Sequence, residues 1–255
     1  MSQNFVAIVP ARMQSTRLPR KALAMIGSYP LVIHSALRAR ESGAQRVVIA
    51  TDHVDIAQAA NEYGFEFVMT RVDHLSGTDR LAEAVDILQL EDHQVVVNVQ
   101  GDEPLIDGHV IAKVVERLVS SPDCVMSSAC YPITDFAHFT NPNVVKVVLN
   151  QQQEALYFSR SAIPFNRDSQ NKTLPNTMKA WHHMGLYAYR ADFLKHYKQL
   201  TPVALETTES LEQLRVLWYG FKIAMEITDQ APLPGVDTVE DLQRVRHWFE
   251  THETN

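Results

Sequence analysis

Acidic residues are absent from the first forty positions of this chain, although the protein as a whole carries a net charge of −7. Arg12, Arg17, Arg20, Lys21, Arg38 and Arg40 all fall in that acid-free stretch. An acidic protein with a basic opening segment is not a general nucleic-acid binder but presents a local anion site. Cysteine is scarce too: the two present, Cys124 and Cys130, fit neither a disulfide framework nor a zinc site. None of the nine glycines forms G-x-G-x-x-G, precedes a lysine or frames a serine as G-x-S-x-G. That excludes the usual dinucleotide turn, the P-loop and the hydrolase elbow. No apolar run approaches membrane-spanning length, and Met1–Pro10 lacks the basic and small-residue features of an export signal. A cytoplasmic protein without membrane insertion is expected. The eleven histidines are scattered, with no H-E-x-x-H, and His182-His183 reads as one structural and one substrate-facing residue.

What the chain does contain is length and apolar content enough, at 255 residues and 45% hydrophobic, for one large α/β domain or one domain with a sizeable insertion. Its focal stretch is Val95-Val-Val-Asn-Val-Gln-Gly-Asp-Glu-Pro104. The valines read as a strand buried on both faces, stopped at Gly101 and followed at once by Asp102 and Glu103, with Pro104 barring continuation. In open α/β sheets, ligands bind at the carboxyl ends of such strands.

Read in order, Phe5–Val9 is a first strand and 10–21 a polar, proline-marked loop. A helix opens at Pro30 with Leu31, His34, Leu37 and Arg38 on one face and Gly43 at its end. Arg46–Ala50, Phe65–Met69 and Val95–Gln100 are further strands, with helices capped near Thr51–Asp55 and Ser76–Thr78 and another near Val110–Val119. This alternation predicts a doubly wound, mostly parallel sheet. After residue 122 the texture becomes β-rich: Val125–Tyr131, Val144–Leu149 and Ala155–Phe158, the last two joined by a turn at 151–154. Asn166–Lys179 is polar, contains Pro175 and reads as a mobile loop able to order over bound substrate. Ser210 and Gln213 form a candidate capping box for a helix ended by Gly220. Lys222–Ile227 is a strand, and Pro234–Thr238 caps a last helix with Leu242, Val245 and Phe249 on one face.

A basic loop after the first strand and a carboxylate after the fourth share one edge of such a sheet. Guanidinium forks and an ammonium suit a polyphosphate, and Asp102 suits Mg2+, which takes oxygen ligands shared between protein carboxylates and phosphates. The combination points to nucleotidyl transfer.

The motifs sharpen this. Val9-Pro-Ala-Arg12 through Ser15-Thr-Arg-Leu-Pro19 and Lys21, with Val97-Asn-Val-Gln-Gly-Asp-Glu-Pro104, resemble the sugar-acid cytidylyltransferases. Further matches are Ala50-Thr-Asp52, Ser76-Gly-Thr-Asp-Arg80, Val144-Val-Lys-Val-Val148, Ala155-Leu-Tyr-Phe-Ser-Arg160, Ile163-Pro164, Leu211-Glu-Gln-Leu-Arg215 and Gly235-Val-Asp-Thr238. The ordered set runs over nearly the whole chain and is most similar to the 3-deoxy-manno-octulosonate (Kdo) cytidylyltransferase family of lipopolysaccharide biosynthesis.

The resemblance implies an α/β fold of the nucleotide-diphospho-sugar transferase type with a smaller β-rich substrate and dimerisation part. It implies one domain over 1–255, with a nucleotide-binding half (1–122), a sugar-acid and dimerisation part (123–230) and a C-terminal metal-site and closing helix (231–255). CTP and Kdo are the implied substrates, Mg2+ the cofactor and a homodimer the assembly. Arg12, Lys21, Asp102 and Asp237 would be catalytic, Asp102 and Asp237 holding the metal. Ala11, Arg12, Arg17, Lys21, Ser76, Gly77, Thr78, Arg80 and Gln100 would bind the nucleotide. Gln100, Arg160, Arg167, His183, Tyr187, Glu212 and Gln213 would line the sugar-acid pocket, with Arg160, Arg167 and His183 suiting its carboxylate. Three positions depart from the family pattern: Arg20 where glycine is common, Ala22 for proline and Tyr29 for lysine. A glycine at position 20 would fit a backbone with positive φ. Activation of a related sugar acid, 8-amino-Kdo or sialic acid, and a catalytically silent nucleotide-binding module remain as alternatives.

Overall fold

Val95–Asn98 is a strand buried at every residue, because packed side chains cover both of its faces, and it has a hydrogen-bonded neighbour on each side. One is parallel, Phe5–Ala11; the other is antiparallel, Trp181–Arg190. The computed structural model describes residues 4–74, 76–167, 174, 179–229 and 231–252. Numbered along the chain, its strands are β1 (Phe5–Ala11), β2 (Met25–Ile26), β3 (Tyr29–Pro30), β4 (Arg46–Thr51), β5 (Glu66–Met69) and β6 (Val95–Asn98), then β7 (Met126–Pro132), β8 (Lys146–Leu149), β9 (Ala155–Ser159), β10 (Trp181–Arg190) and β11 (Ile223–Ile227). The α-helices are α1 (Leu31–Glu41), α2 (Val54–Glu62), α3 (Gly77–Ile87), α4 (Gly108–Val119), α5 (Phe136–Thr140), α6 (Ala191–Tyr197), α7 (Ala204–Glu209), α8 (Gln213–Trp218) and α9 (Val239–His252).

The main sheet runs β11-β7-β10-β6-β1-β4-β5, with β8 paired to β10 and to β9, while β2 and β3 form a separate small hairpin. The strands β6, β1, β4 and β5 are mutually parallel, so their carboxyl ends share one edge. Alternation of side chains sends Phe5, Ala7, Val9, Val95, Val97 and Val99 to one face, against α1, α2 and α4. Val6, Ile8 and Val96 go to the other, against α3, α6 and α8. The predicted doubly wound, mostly parallel architecture is thus present.

Several expectations are corrected. The ten-residue β10, the longest strand, was not foreseen, because His182, His183, Gly185 and Arg190 interrupt any apolar pattern. It is nevertheless central, and its polar groups are satisfied locally, as where Ser128 Oγ of β7 lies 2.9 Å from His183 Nε2. The helices α5, α6 and α7 also lie in stretches to which the sequence reading assigned no element. Ser210 is not a helix N-cap but ends α7 in the left-handed conformation (φ 53°), and α8 starts after Glu212 without a side-chain cap. On α1, burial extends over Leu31 to Ala36 and Ala39 rather than one narrow face. The helix is enclosed by the sheet on one side and by α9 on another, where Phe249 meets the His34 ring at 4.3 Å.

Candidate active site

The acid-free loop leaves β1 at Ala11 and returns in a short 3-10 turn, Lys21–Leu23. Arg20, just before that turn, has φ 54° and ψ 30°, the left-handed region in which glycine costs least. The departure from glycine is therefore a strained residue, held by an ion pair from Arg20 Nη2 to Asp55 Oδ2 at 2.8 Å. Both side chains are exposed, so the pair offsets little. Arg20→Gly is expected to change stability by less than about 1 kcal/mol, relief of strain cancelling added unfolded-state freedom. Nucleotide-dependent activity should be unchanged. Loss of activity in this variant would show a functional duty for the guanidinium.

Beyond the turn, Lys21 Nζ lies 2.7 Å from Asp102 Oδ2 and 3.0 Å from Asp237 Oδ1, and Arg17 Nη2 lies 3.1 Å from Asp237 Oδ2. Packing makes this cluster. Leu18 of the loop, Ile26 of β2, Leu105 beyond Asp102 and Val236, Leu242, Val245 and Phe249 of the C-terminal segment form one apolar cluster. Val236 N–H donates to the Asp102 carbonyl at 2.8 Å, laying residue 237 beside residue 102. Glycine is required at 235, where a Cβ would stand 2.8 Å from Glu103 Oε1 and 3.0 Å from the Asp102 carbonyl oxygen. Gly101 is similarly constrained by the Pro10 carbonyl oxygen, 2.7 Å from any Cβ there.

Charge is finely balanced in this cluster. Burial works against the Lys21 ammonium, but Asp102 and then Asp237 outweigh it, and its pKa is raised. Glu103 is pushed up to about 8, first by burial and then by Asp102 and Asp237. The two aspartates share the Lys21 ammonium, Asp237 also pairs with Arg17, and their oxygen donors have the chemistry of a hard-cation site. The pair would suit a divalent cation such as Mg2+, which is commonly held by one or two protein carboxylates.

Alongside lies a cavity of about 350 Å3. Gly77, Thr78, Gln100 and Asp102 line one part, and Tyr187, Glu212 and Gln213 another. Thr78 Oγ1 donates to Glu212 Oε2 at 2.7 Å, and burial raises the Glu212 pKa against that bond. Seven of the expected site residues thus converge. Arg12 is exposed and makes no ion pair among the described residues, and Ala11 is buried at the end of β1. Ser76 is a capping residue, its Oγ accepting the Asp79 N–H at 3.1 Å. The Arg80 guanidinium is buried on Asp52 and Thr70, outside the cavity lining. Arg160 is committed to carbonyls, Nε to Glu209 at 2.7 Å and Nη1 to Pro142 at 3.1 Å. Arg167 is exposed, and most of the expected loop at 166–179 lies outside the described residues.

His183 sits behind the lining, with Gln213 Nε2 3.5 Å from its Nδ1 and its ring against Phe158 and Tyr187. Burial, then the neighbouring His182, lowers its pKa to about 3. Burial thus favours the neutral ring, which can offer a hydrogen bond rather than a charge. The sign for stability follows. The unfolded chain binds this proton near the ordinary histidine pKa and the folded chain only near 3, so stability is full above about 6.5 and falls as pH drops below it. His183→Gln should flatten the decline in melting temperature between about pH 6.5 and 4. An unchanged slope would mean that other groups carry it.

Some lining residues were assigned no role from the sequence. Asn98 and Tyr197 both contribute to the cavity lining, and Asn98 Oδ1 and Tyr197 Oη are buried without a hydrogen-bond partner among the described residues. Asn98 was detectable as the one polar residue in the run of valines. Tyr197, on the unforeseen α6, was not.

A family model described as cytidylyltransferase matches residues 6–226. The chain belongs to the cytidylyltransferase family. Among solved structures, this cytidylyltransferase is similar to a CMP:2-keto-3-deoxy-manno-octonic acid synthetase in complex with CTP. That match has 38% identity and a TM-score of 0.89, covering 98% of this chain and 99% of the other. Fold alone is shared with a cytidylyltransferase from Leptospira borgpetersenii serovar Hardjo-bovis, at 16% identity and TM-score 0.62, covering 98% and 88%. The same holds for a putative glucose-1-phosphate thymidylyltransferase from Bacillus anthracis in complex with a sucrose, at 18% identity and TM-score 0.64, covering 96% and 94%.

Proposed function

We propose that this cytidylyltransferase transfers CMP from CTP to the anomeric hydroxyl of Kdo, giving CMP-Kdo and pyrophosphate for lipopolysaccharide biosynthesis, with Mg2+ as cofactor. The observation that carries the reading is the Lys21–Asp102–Asp237 cluster beside a polar cavity, in a chain 38% identical to a CMP-Kdo-forming synthetase over almost its full length. In the reaction the anomeric oxygen bonds to the α-phosphorus, the bond from that phosphorus to the pyrophosphate oxygen breaks, and the hydroxyl proton passes to water. Bound Mg2+ supplies charge stabilisation on the phosphate oxygens, and Asp102 and Asp237 are the residues to hold it.

The chain's own residues do the rest by positioning and electrostatics. Arg12, Arg17 and Lys21 meet the triphosphate, while Ala11, Ser76, Gly77 and Thr78 bound the nucleoside. Gln100, Tyr187, Glu212 and Gln213 orient the sugar acid, His183 holds Gln213 as a neutral partner, and Arg160 and Arg167 remain candidates for its carboxylate. A homodimer is part of the proposal. Leu156 on β9 and Phe165 beyond it, 58% and 85% exposed, supply apolar surface for it. No helix among the described residues is long and apolar enough to cross a membrane, and we place the reaction in the cytoplasm. Pyrophosphate release from CTP with Kdo, 8-amino-Kdo and sialic acid, with and without Mg2+, tests the function. Release with Kdo in preference to the others is expected; release with none under any metal condition would overturn it.

A further inference from the structure

Asp52 lies one residue beyond β4, at the same sheet edge as the basic loop, and both of its carboxylate oxygens are used inside the protein. Oδ1 accepts the Met13 N–H at 3.1 Å, and Oδ2 accepts Arg80 Nη2 at 2.9 Å. Arg80 Nη1 donates to Thr70 Oγ1. Thr70 is in turn fastened to the Thr51 carbonyl through its N–H at 2.8 Å and its hydroxyl at 3.1 Å. The ion pair is nearly dry, with side-chain exposure of 5% for Arg80 and 10% for Asp52.

A buried pair of this kind is weak evidence for stability, because desolvation offsets much of the attraction. Its geometric effect is plain. Met13 follows Arg12 in the basic loop, and Arg80 lies within a turn of Thr78, which lines the cavity. One carboxylate therefore ties the loop after β1 to the first turn of α3, through the ends of β4 and β5. Neither Asp52 nor Arg80 lines the cavity, so the pair acts on ligand only through the segments it joins.

We propose that Asp52 is a positioning residue for the nucleoside triphosphate, fixing the basic loop relative to the first turn of α3 and thereby setting nucleotide affinity and base selectivity. The proposal rests on the reading of this edge as the CTP site. It differs from a folding role because misplacement of binding groups by about 1 Å, even from far away, can cost about 100-fold in rate.

The test compares Asp52→Ala, Asp52→Asn, Arg80→Met and the Asp52→Ala/Arg80→Met double variant with wild type, using CTP and UTP, with melting temperatures measured in parallel and assays run well below them. Wild-type turnover of CTP with Kdo is the control on the reading itself, since its absence would count against that reading and not against Asp52. Asp52→Ala should raise KM for CTP by about 30-fold or more, leave KM for Kdo within about twofold and narrow the preference for CTP over UTP. Asp52→Asn, which keeps an acceptor for the Met13 N–H, should recover part of the loss. The double variant should be little worse than Asp52→Ala, because both changes open the same link. Variants with lower melting temperature but wild-type KM for CTP and wild-type base preference would overturn the proposal, as would equal rises in KM for both substrates. Should Asp52→Ala not fold, Thr70→Val removes the second acceptor of Arg80 while keeping side-chain shape. A smaller rise in KM for CTP alone is then expected, and an unchanged value would overturn the proposal.

Discussion

Asp102→Asn and Asp237→Asn should each lower turnover with CTP and Kdo by about three orders of magnitude, the loss of about 4 kcal/mol of transition-state stabilisation. Each amide keeps the shape of the carboxylate but loses the charge that holds a hard cation. The folded state should tolerate both changes. The two side chains are 35% and 48% exposed, and Lys21 keeps the other aspartate as partner in either variant. Melting temperatures should therefore shift by no more than a few degrees. Manganese binding in the presence of CTP, read by electron paramagnetic resonance, separates metal loss from any other defect. A variant with near-wild-type turnover at limiting Mg2+ would remove that aspartate from the metal site.

Lys21→Met should reduce kcat/KM for CTP by about 100- to 1,000-fold, the scale of removing one preorganised charge from a developing anionic centre. The prediction has a second, opposite arm. Without nucleotide, the Lys21 ammonium lies between the two aspartates, so its removal leaves their charges without that partner. The variant should bind Mn2+ at least as tightly as wild type in the absence of CTP, while using CTP poorly. Weaker metal binding would instead give Lys21 a part in building the metal site. The pH dependence has a definite sign. The folded pKa of Lys21 is raised above the ordinary 10.5, so its ion pairs are complete below that value and are lost only as pH rises through the higher folded one. A fall in activity between pH 7 and 9 would need another group.

How far the sequence carries can be judged residue by residue. β6 and its termination were legible because Val95–Val97 alternate between two buried faces and need no external partner to be recognised. The end of α1 was legible for the same local reason, since Gly43 takes φ 84° just beyond it. Arg20 was legible as a strained residue through the family pattern alone, and its φ of 54° bears that out. The β10 strand was not legible, because a strand whose polar side chains find partners inside the protein shows no alternation in the sequence. Ser210 was misread because its left-handed conformation depends on where α7 ends, and α7 itself had no sequence signal.

The same division holds at the site. The chemistry of individual groups was determined by the sequence: an acid-free cationic loop, carboxylates after a buried strand, and motifs in the order of a known family. Their commitments were decided by tertiary structure. Lys21 and Asp237 are 216 residues apart, and only the cluster of Leu18, Ile26, Leu105 and the apolar face of α9 brings them within hydrogen-bonding distance. Arg80 and Arg160, equally cationic on paper, are spent on Asp52 and on backbone carbonyls, and His183 is held neutral by burial. Residue type fixes what a side chain can do, since charge and hydrogen-bonding capacity are local properties. Which partner it meets, and how much water remains around it, depends on contacts between distant segments, and these exist only once the chain has packed.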